Sequence, residues 1–174
     1  MDTEEMKKIA IIGAGNLGQA IAKGLLKSGK FSPKDITLTR RTLSELTSFG
    51  ESGFRLTDNN LSAVQGRDLI IISVGPQDAE RVLNSFKNDL KQDKHILIST
   101  MTGVSIDKIQ SVVGQQIPIV RIMPNTAVAI CESMTCLSAL DEHSKSLDTV
   151  KKVFDQLGKT LMVKESLMAP ATAL

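Results

Sequence analysis

A chain of 174 residues, 41% of them hydrophobic and with a mean hydropathy of +0.01, is long enough for one well-buried domain. That balance fits neither a disordered nor a membrane-embedded protein. The net charge of +2 is spread along the chain with no basic stripe interleaved with aromatics, which argues against a nucleic-acid partner.

Other classes fall away on the same reading. Met1-Asp2-Thr3-Glu4-Glu5 is acidic, the opposite of a targeting peptide, and no apolar run reaches membrane-spanning length. A cytoplasmic protein is expected, with Cys131 and Cys136 as reduced thiols, although spacing alone also permits a disulfide. Trp and Tyr are absent, so Ile, Leu, Val, Ala and Met must fill the interior. That bias suits a parallel sheet covered on both faces.

In chain order, Lys8 to Ile12 reads as a buried strand ending at Gly13. Leu17, Ala20, Ile21, Gly24 and Leu25 share one helical face, with Gly29 as the stop. Ile36 to Thr39 is a second strand, and Leu43, Leu46 and Phe49 mark a short helix closed by Gly50. Asp68 to Val74 has an unbroken apolar centre, as a central strand buried on both faces would. Ala79, Val82, Leu83, Phe86 and Leu90 give the next helix, and His95 to Ser99 another strand. Ser105 can cap a helix carrying Ile106, Ile109 and Val112. Ile117 to Met123 is a strand whose Pro118 suits an edge position or a strand start. Met134 to Leu140 reads as a strand, Leu147 to Leu157 as a helix, and Lys159 to Val163 as a last strand. The alternation predicts an α/β fold: a Rossmann-type, doubly wound, mainly parallel sheet with helices on both faces.

The chemistry begins at Gly13-Ala14-Gly15-Asn16-Leu17-Gly18, a G-x-G-x-x-G run placed between a strand and a helix. Gly13 permits the tight turn, Gly15 lets a pyrophosphate approach the backbone, and Gly18 lets the helix pack on the strand. The helix start then offers free N–H groups and a positive dipole end. At the end of the second strand an NAD site usually carries an acid for the ribose 2′-hydroxyl. This chain has Thr39-Arg40-Arg41-Thr42 there, and two guanidiniums suit a 2′-phosphate. NADP(H) is therefore the expected cofactor, with NAD(H) as the alternative; a solvated arginine pair is the plainer reading.

The glycine run extended to Gly24, then Ser73-Val74-Gly75-Pro76-Gln77, Thr102-Gly103-Val104-Ser105 and Arg121-Ile122-Met123-Pro124-Asn125-Thr126, resemble successive motifs of pyrroline-5-carboxylate reductases. The last stretch is the most specific of them. The resemblance implies that Ile12, Gly13, Ala14, Gly15, Asn16 and Leu17 contact the pyrophosphate. It puts Arg40 and Arg41 at the adenosine phosphate and Asn60 against the cofactor. Ser73, Val74, Gly75 and Pro76 would form the loop after the fourth strand, and Met101, Thr102 and Gly103 the loop after the fifth, both on the cofactor. Asn125 and Thr126 would lie near the nicotinamide, with Thr126 and Glu165 on the substrate side.

Each assignment has a plainer counterpart. Asn59-Asn60 reads equally as a helix cap, Pro76 as a helix start, Pro124-Asn125-Thr126 as a turn, and Glu165 as a surface acid. His95 and His143 are isolated and read as structural or solvated, Met123 and Met134 as packing. Gly75 stands where the family usually carries lysine, and Ala169-Pro170 where it carries an acid and alanine. The expected organisation is an NADP(H)-binding domain over 1–164, then the start of a connection over 165–174. The family continues into a helical domain that dimerises and completes the substrate pocket, so a homo-oligomer is implied; a chain stopping at Leu174 reads as a fragment or a shortened homologue.

The implied reaction is NADPH-dependent reduction of 1-pyrroline-5-carboxylate to L-proline, in proline biosynthesis. No Ser-His-Asp, Cys-His or metal constellation is apparent, which suits a reaction carried by the cofactor. Two alternatives stand beside it. One is another small Rossmann reductase related to β-hydroxyacid dehydrogenases or F420-dependent NADP reductases; the other is a non-catalytic NADP(H)-binding module.

Overall fold

The computed structural model describes residues 7–114 and 116–168. Ala169, Pro170 and the stretch to Leu174 lie outside the described residues, as does the acidic start.

Eight strands form one sheet: β1 (Ile9–Ile12), β2 (Ile36–Thr39), β3 (Arg55–Thr57), β4 (Leu69–Ile72), β5 (Ile96–Ser99), β6 (Ile119–Met123), β7 (Ser133–Ala139) and β8 (Gly158–Met162). Their order is β3-β2-β1-β4-β5-β6-β7-β8. All neighbours run parallel except β6 and β7. β7 reverses because the connection from β6 holds only a 3₁₀ helix, Thr126–Ile130, and makes no crossover.

The expected doubly wound architecture follows from alternation along the strands. Ile9 and Ile11 of β1, and Leu69 and Ile71 of β4, face one core with α1 (Asn16–Lys27), α2 (Thr47–Glu51) and α6 (Ser144–Phe154). Ala10, Ile12, Ile70 and Ile72 face the other, with α3 (Asn60–Val64), α4 (Ala79–Asn84) and α5 (Ile106–Val113). Every residue of β1 and β4 is buried, which is why these runs are continuously apolar instead of alternating with polar residues.

Several boundaries differ from expectation. The helix predicted to close at Gly50 begins as a 3₁₀ turn, Leu43–Leu46, and runs on to Glu51; the chain turns at Gly53, with φ +90°. α4 stops at Asn84 instead of continuing to Leu90, where a separate 3₁₀ turn, Lys87–Asp89, takes over. Ser85 Oγ bonds back to the Val82 carbonyl at 2.6 Å just there. Pro118 precedes β6, an interior strand, so its missing N–H marks a strand start and not an edge. Ser105 caps α5 as expected, accepting from Lys108 N at 3.1 Å. Met134 is 41% exposed and does not pack in the core. Cys131 and Cys136 are free thiols.

His95 is structural. It is 4% exposed before β5, and its Nδ1 accepts the Lys91 N–H at 2.9 Å, a bond that requires a neutral ring. Burial first, then the charge of Lys94, holds its pKa below the ordinary 6.5, against opposing Asp68 and Asp93. The unfolded chain therefore takes up this proton at higher pH than the folded one. Stability is complete above pH of about 6.5 and declines as pH falls through the window beneath it. Urea unfolding at pH 7.5 and 5.5 should show a lower midpoint at pH 5.5, and His95→Asn should flatten that difference.

Candidate dinucleotide site

The strand order reverses between β1 and β4, where the connections from the two strands leave in opposite directions and open a crevice at the C-terminal sheet edge. A cleft of about 350 Å³ occupies this position. Its walls come from the ends of β1, β2 and β4 and from the first turns of α3 and α4.

The glycine turn is stitched to β2. Gly13 N donates to Thr39 Oγ1 at 3.1 Å, and Ala14 N donates to the Thr39 carbonyl at 2.7 Å. Gly13 holds φ +88°, a conformation that side-chain-bearing residues rarely adopt, and a Cβ there would lie 2.8 Å from the Ser73 carbonyl oxygen. A Cβ at Gly18 would lie 2.8 Å from the Gly13 carbonyl oxygen, which is the close helix–strand approach expected of that position. At Gly15, which lines the cleft, a Cβ would meet nothing within 4 Å. α1 starts with no side-chain cap and no acid in its first turn, so its N–H groups and positive dipole end are uncompensated. Such a helix start favours an anion.

Of the expected cofactor residues, Ile12, Gly13 and Gly15 line the cleft from β1, Arg40 and Arg41 from β2. Asn60, Ser73, Val74 and Gly75 line it from the β3 and β4 sides. Ala14 is buried and contributes its carbonyl, which accepts from Arg40 Nη1 at 2.7 Å and from Gln19 Nε2 at 3.1 Å. Asn16 and Leu17 open α1 beside the cleft, and Pro76 starts a 3₁₀ turn, Pro76–Asp78.

Asn59 and Asn60 divide the two roles open to them. Asn59 caps α3, accepting from Ser62 N at 3.0 Å. The Asn60 amide instead bridges the cleft wall: its oxygen accepts from Thr39 Oγ1 at 3.0 Å and its nitrogen donates to Ser85 Oγ at 3.2 Å.

Met101, Thr102, Gly103 and Asn125 do not line this cleft. They follow β5 and β6, which leave the same sheet edge further along. Met101 is buried, and Thr102 Oγ1 reaches Met123 Sδ at 4.0 Å, linking the two loops. Asn125 caps the 3₁₀ helix that Thr126 begins, its Oδ1 accepting from Ala127 N at 3.2 Å. Glu165 is no free surface acid. Its Oε1 accepts from Arg121 Nη1 at 2.9 Å and from the Ile106 N–H at 2.7 Å.

The structure adds cleft residues that sequence reasoning passed over: Thr39, Thr42, Glu45, Asp58, Asp78 and Arg81. Arg40 is ion-paired with Glu45, and Arg81 with Asp78. The bond from Arg81, with help from the charge of Arg41, holds the Asp78 carboxyl below the usual carboxylate range.

Residues 8–103, over half the chain, match the family model described as NADP oxidoreductase, coenzyme F420-dependent. The chain belongs to that family. Over 95% of its length it is 39% identical to pyrroline-5-carboxylate reductase 1 of Dictyostelium discoideum, covering 32% of that protein. It is 37% identical to pyrroline-5-carboxylate reductase 2 of the same organism, over 99% of this chain and 63% of the relative. Among solved structures, a pyrroline-5-carboxylate reductase from Coxiella burnetii superposes with a TM-score of 0.89 at 28% identity, covering 98% of this chain and 64% of that one. The Plasmodium falciparum pyrroline carboxylate reductase with NADP bound gives 0.86 at 26% identity, over 97% and 62%. The chain thus spans less than two thirds of these relatives. Among the described residues no helix is long and apolar enough to cross a membrane.

Proposed function

We propose that this chain is the NADP(H)-binding part of a cytoplasmic pyrroline-5-carboxylate reductase, which reduces 1-pyrroline-5-carboxylate to L-proline. The observation that carries the reading is the open cleft at the strand-order reversal, floored by the uncapped start of α1 and rimmed by arginines at the end of β2. Relatives named for this reaction match nearly the whole chain, which favours it over other NADP chemistry.

In this reading residues 1–164 form the cofactor domain and 165–174 begin a connection to a helical domain through which the protein forms a homo-oligomer. The N–H groups of α1 hold the pyrophosphate. Ser73, Val74 and Gly75 orient the dinucleotide, and the loops at Met101–Gly103 and Asn125–Thr126 border its nicotinamide end. The nicotinamide, when bound, supplies the hydride that reduces the C=N bond of the protonated ring. The chain contributes orientation and exclusion of water. Because substrate contacts are completed by the further domain, the 174-residue chain is expected to bind NADPH well and to turn over slowly.

The test is fluorescence titration with NADPH and NADH, followed by three assays: NADPH oxidation with pyrroline-5-carboxylate, NADP+ reduction with a hydroxyacid panel, and NADP+ reduction with reduced coenzyme F420. Saturable NADPH binding, with turnover confined to the imine, supports the proposal. No saturable binding of either dinucleotide, or turnover confined to another substrate, overturns it. Tight binding without turnover, even when a relative's helical domain is supplied, replaces the enzyme with a cofactor-binding module.

A further inference from the structure

Three guanidiniums line the cleft, Arg40, Arg41 and Arg81, together with three carboxylates, Glu45, Asp58 and Asp78. Their bonding states differ. Arg40 is 26% exposed and engaged at both ends: Nη1 donates to the Ala14 carbonyl inside the glycine turn at 2.7 Å, and Nη2 is paired with Glu45. It braces the turn that α1 springs from. Arg41 is exposed and has no hydrogen bond or ion pair among the described residues. Arg81, on the first turn of α4, is 61% exposed and, among the described residues, is ion-paired with Asp78, three residues earlier.

Arg41 and Arg81 thus line one cleft from two elements, the β2 end and the α4 start, and Asp78, paired with Arg81, lines it with them. Two cations bordering one cleft, one unpaired and the other held by a single acid, make a ready receptor for a phosphate, which carries more charge and more acceptor oxygens than that acid. We propose that Arg41 and Arg81 together select the 2′-phosphate of NADP(H), that Asp78 is an internal competitor the phosphate must displace from Arg81, and that Arg40 is a positioning residue for the glycine turn. This rests on the reading that the cleft takes a nicotinamide dinucleotide.

The three arginines then separate in one experiment. Dissociation constants for NADPH and NADH are measured on the 174-residue chain and its variants, with 2′,5′-ADP and 5′-AMP as competitors. Arg41→Ala and Arg81→Ala should each weaken NADPH and 2′,5′-ADP by about tenfold while leaving NADH and 5′-AMP unchanged, the loss expected for one charge-assisted contact. Arg40→Ala should weaken NADPH and NADH alike, by about tenfold, because the turn beneath the shared pyrophosphate loosens. Asp78→Asn should tighten NADPH by about threefold and leave NADH alone. Thermal melts check that the exposed Arg81 variant folds normally.

If Arg81→Ala leaves the NADPH:NADH ratio at its wild-type value, or Asp78→Asn weakens NADPH, the proposal fails while the cofactor reading stands. If the unaltered chain binds neither dinucleotide, the cofactor reading itself fails.

Discussion

Replacing Gly15 with alanine should remove most of the dinucleotide affinity and leave the stability of the fold almost untouched. Gly15 has φ −78° and ψ −158°, which alanine adopts without strain, and the added methyl group would meet no protein atom within 4 Å. The proposed site brings the pyrophosphate against the backbone at this glycine, where an added methyl group would obstruct it. NADPH affinity should fall about 100-fold, or about 2.7 kcal/mol, while urea unfolding shifts by no more than about 0.5 kcal/mol.

Gly18→Ala should behave in the opposite sense. Its methyl group would be 2.8 Å from the Gly13 carbonyl oxygen and 3.2 Å from Ile11 Cγ2, so α1 has to move away from β1. A destabilisation of about 1–3 kcal/mol is expected from that overpacking, with affinity lost as a consequence of the displaced turn. Titration and unfolding on both variants distinguish a glycine kept for the ligand from one kept for packing. An unchanged NADPH affinity in Gly15→Ala would place the pyrophosphate elsewhere.

The parts of this fold legible in the sequence are those whose surroundings leave a periodic mark. β1 and β4 are buried on both faces, so Ile9–Ile12 and Leu69–Ile72 are unbroken apolar runs. β3 and α3 left no such mark. Arg55–Thr57 is a three-residue edge strand with an exposed first residue, and Asn60–Val64 is barely more than one helical turn. The antiparallel pairing of β6 and β7 depends on what fills the connection between them, a 3₁₀ helix with no apolar periodicity to read.

The site divides in the same way. Gly13, Gly15 and Gly18 declare themselves because a dinucleotide turn demands them at fixed spacing. Arg81 occupies the polar face of an amphipathic helix, where a cation is unremarkable; only the sheet edge at which α4 begins makes it a cleft residue. The different bonding of Arg40 and Arg41 depends on the Ala14 carbonyl, which is distant in sequence. The bonding of Glu165 could not be read from the sequence because its partner Arg121 lies 44 residues away.

That pair should carry a large share of local stability. Arg121 lies mid-strand in β6, between Ser99 of β5 and Ser138 of β7, with its side chain 8% exposed. A guanidinium so placed is costly unless compensated, and Glu165 is its carboxylate partner. The same oxygen also satisfies the Ile106 N–H at the first turn of α5. Glu165→Ala removes both partners at once and should cost about 2–3 kcal/mol in urea unfolding; the figure is kept below that for fully buried pairs because Glu165 is 28% exposed. Glu165→Gln retains an acceptor for Ile106 but not the charge, and should cost less. If the penalty comes from an uncompensated cation, Arg121→Met added to Glu165→Ala should recover much of it, since an apolar side chain needs no partner there. A Glu165→Ala variant as stable as the parent would mean that solvent reaches Arg121 and that the acid is free for substrate. NADPH affinity provides the control, because neither residue lines the β1–β4 cleft. A loss of stability without a loss of binding would assign the pair to the sheet edge below the Met101–Gly103 loop rather than to the cofactor.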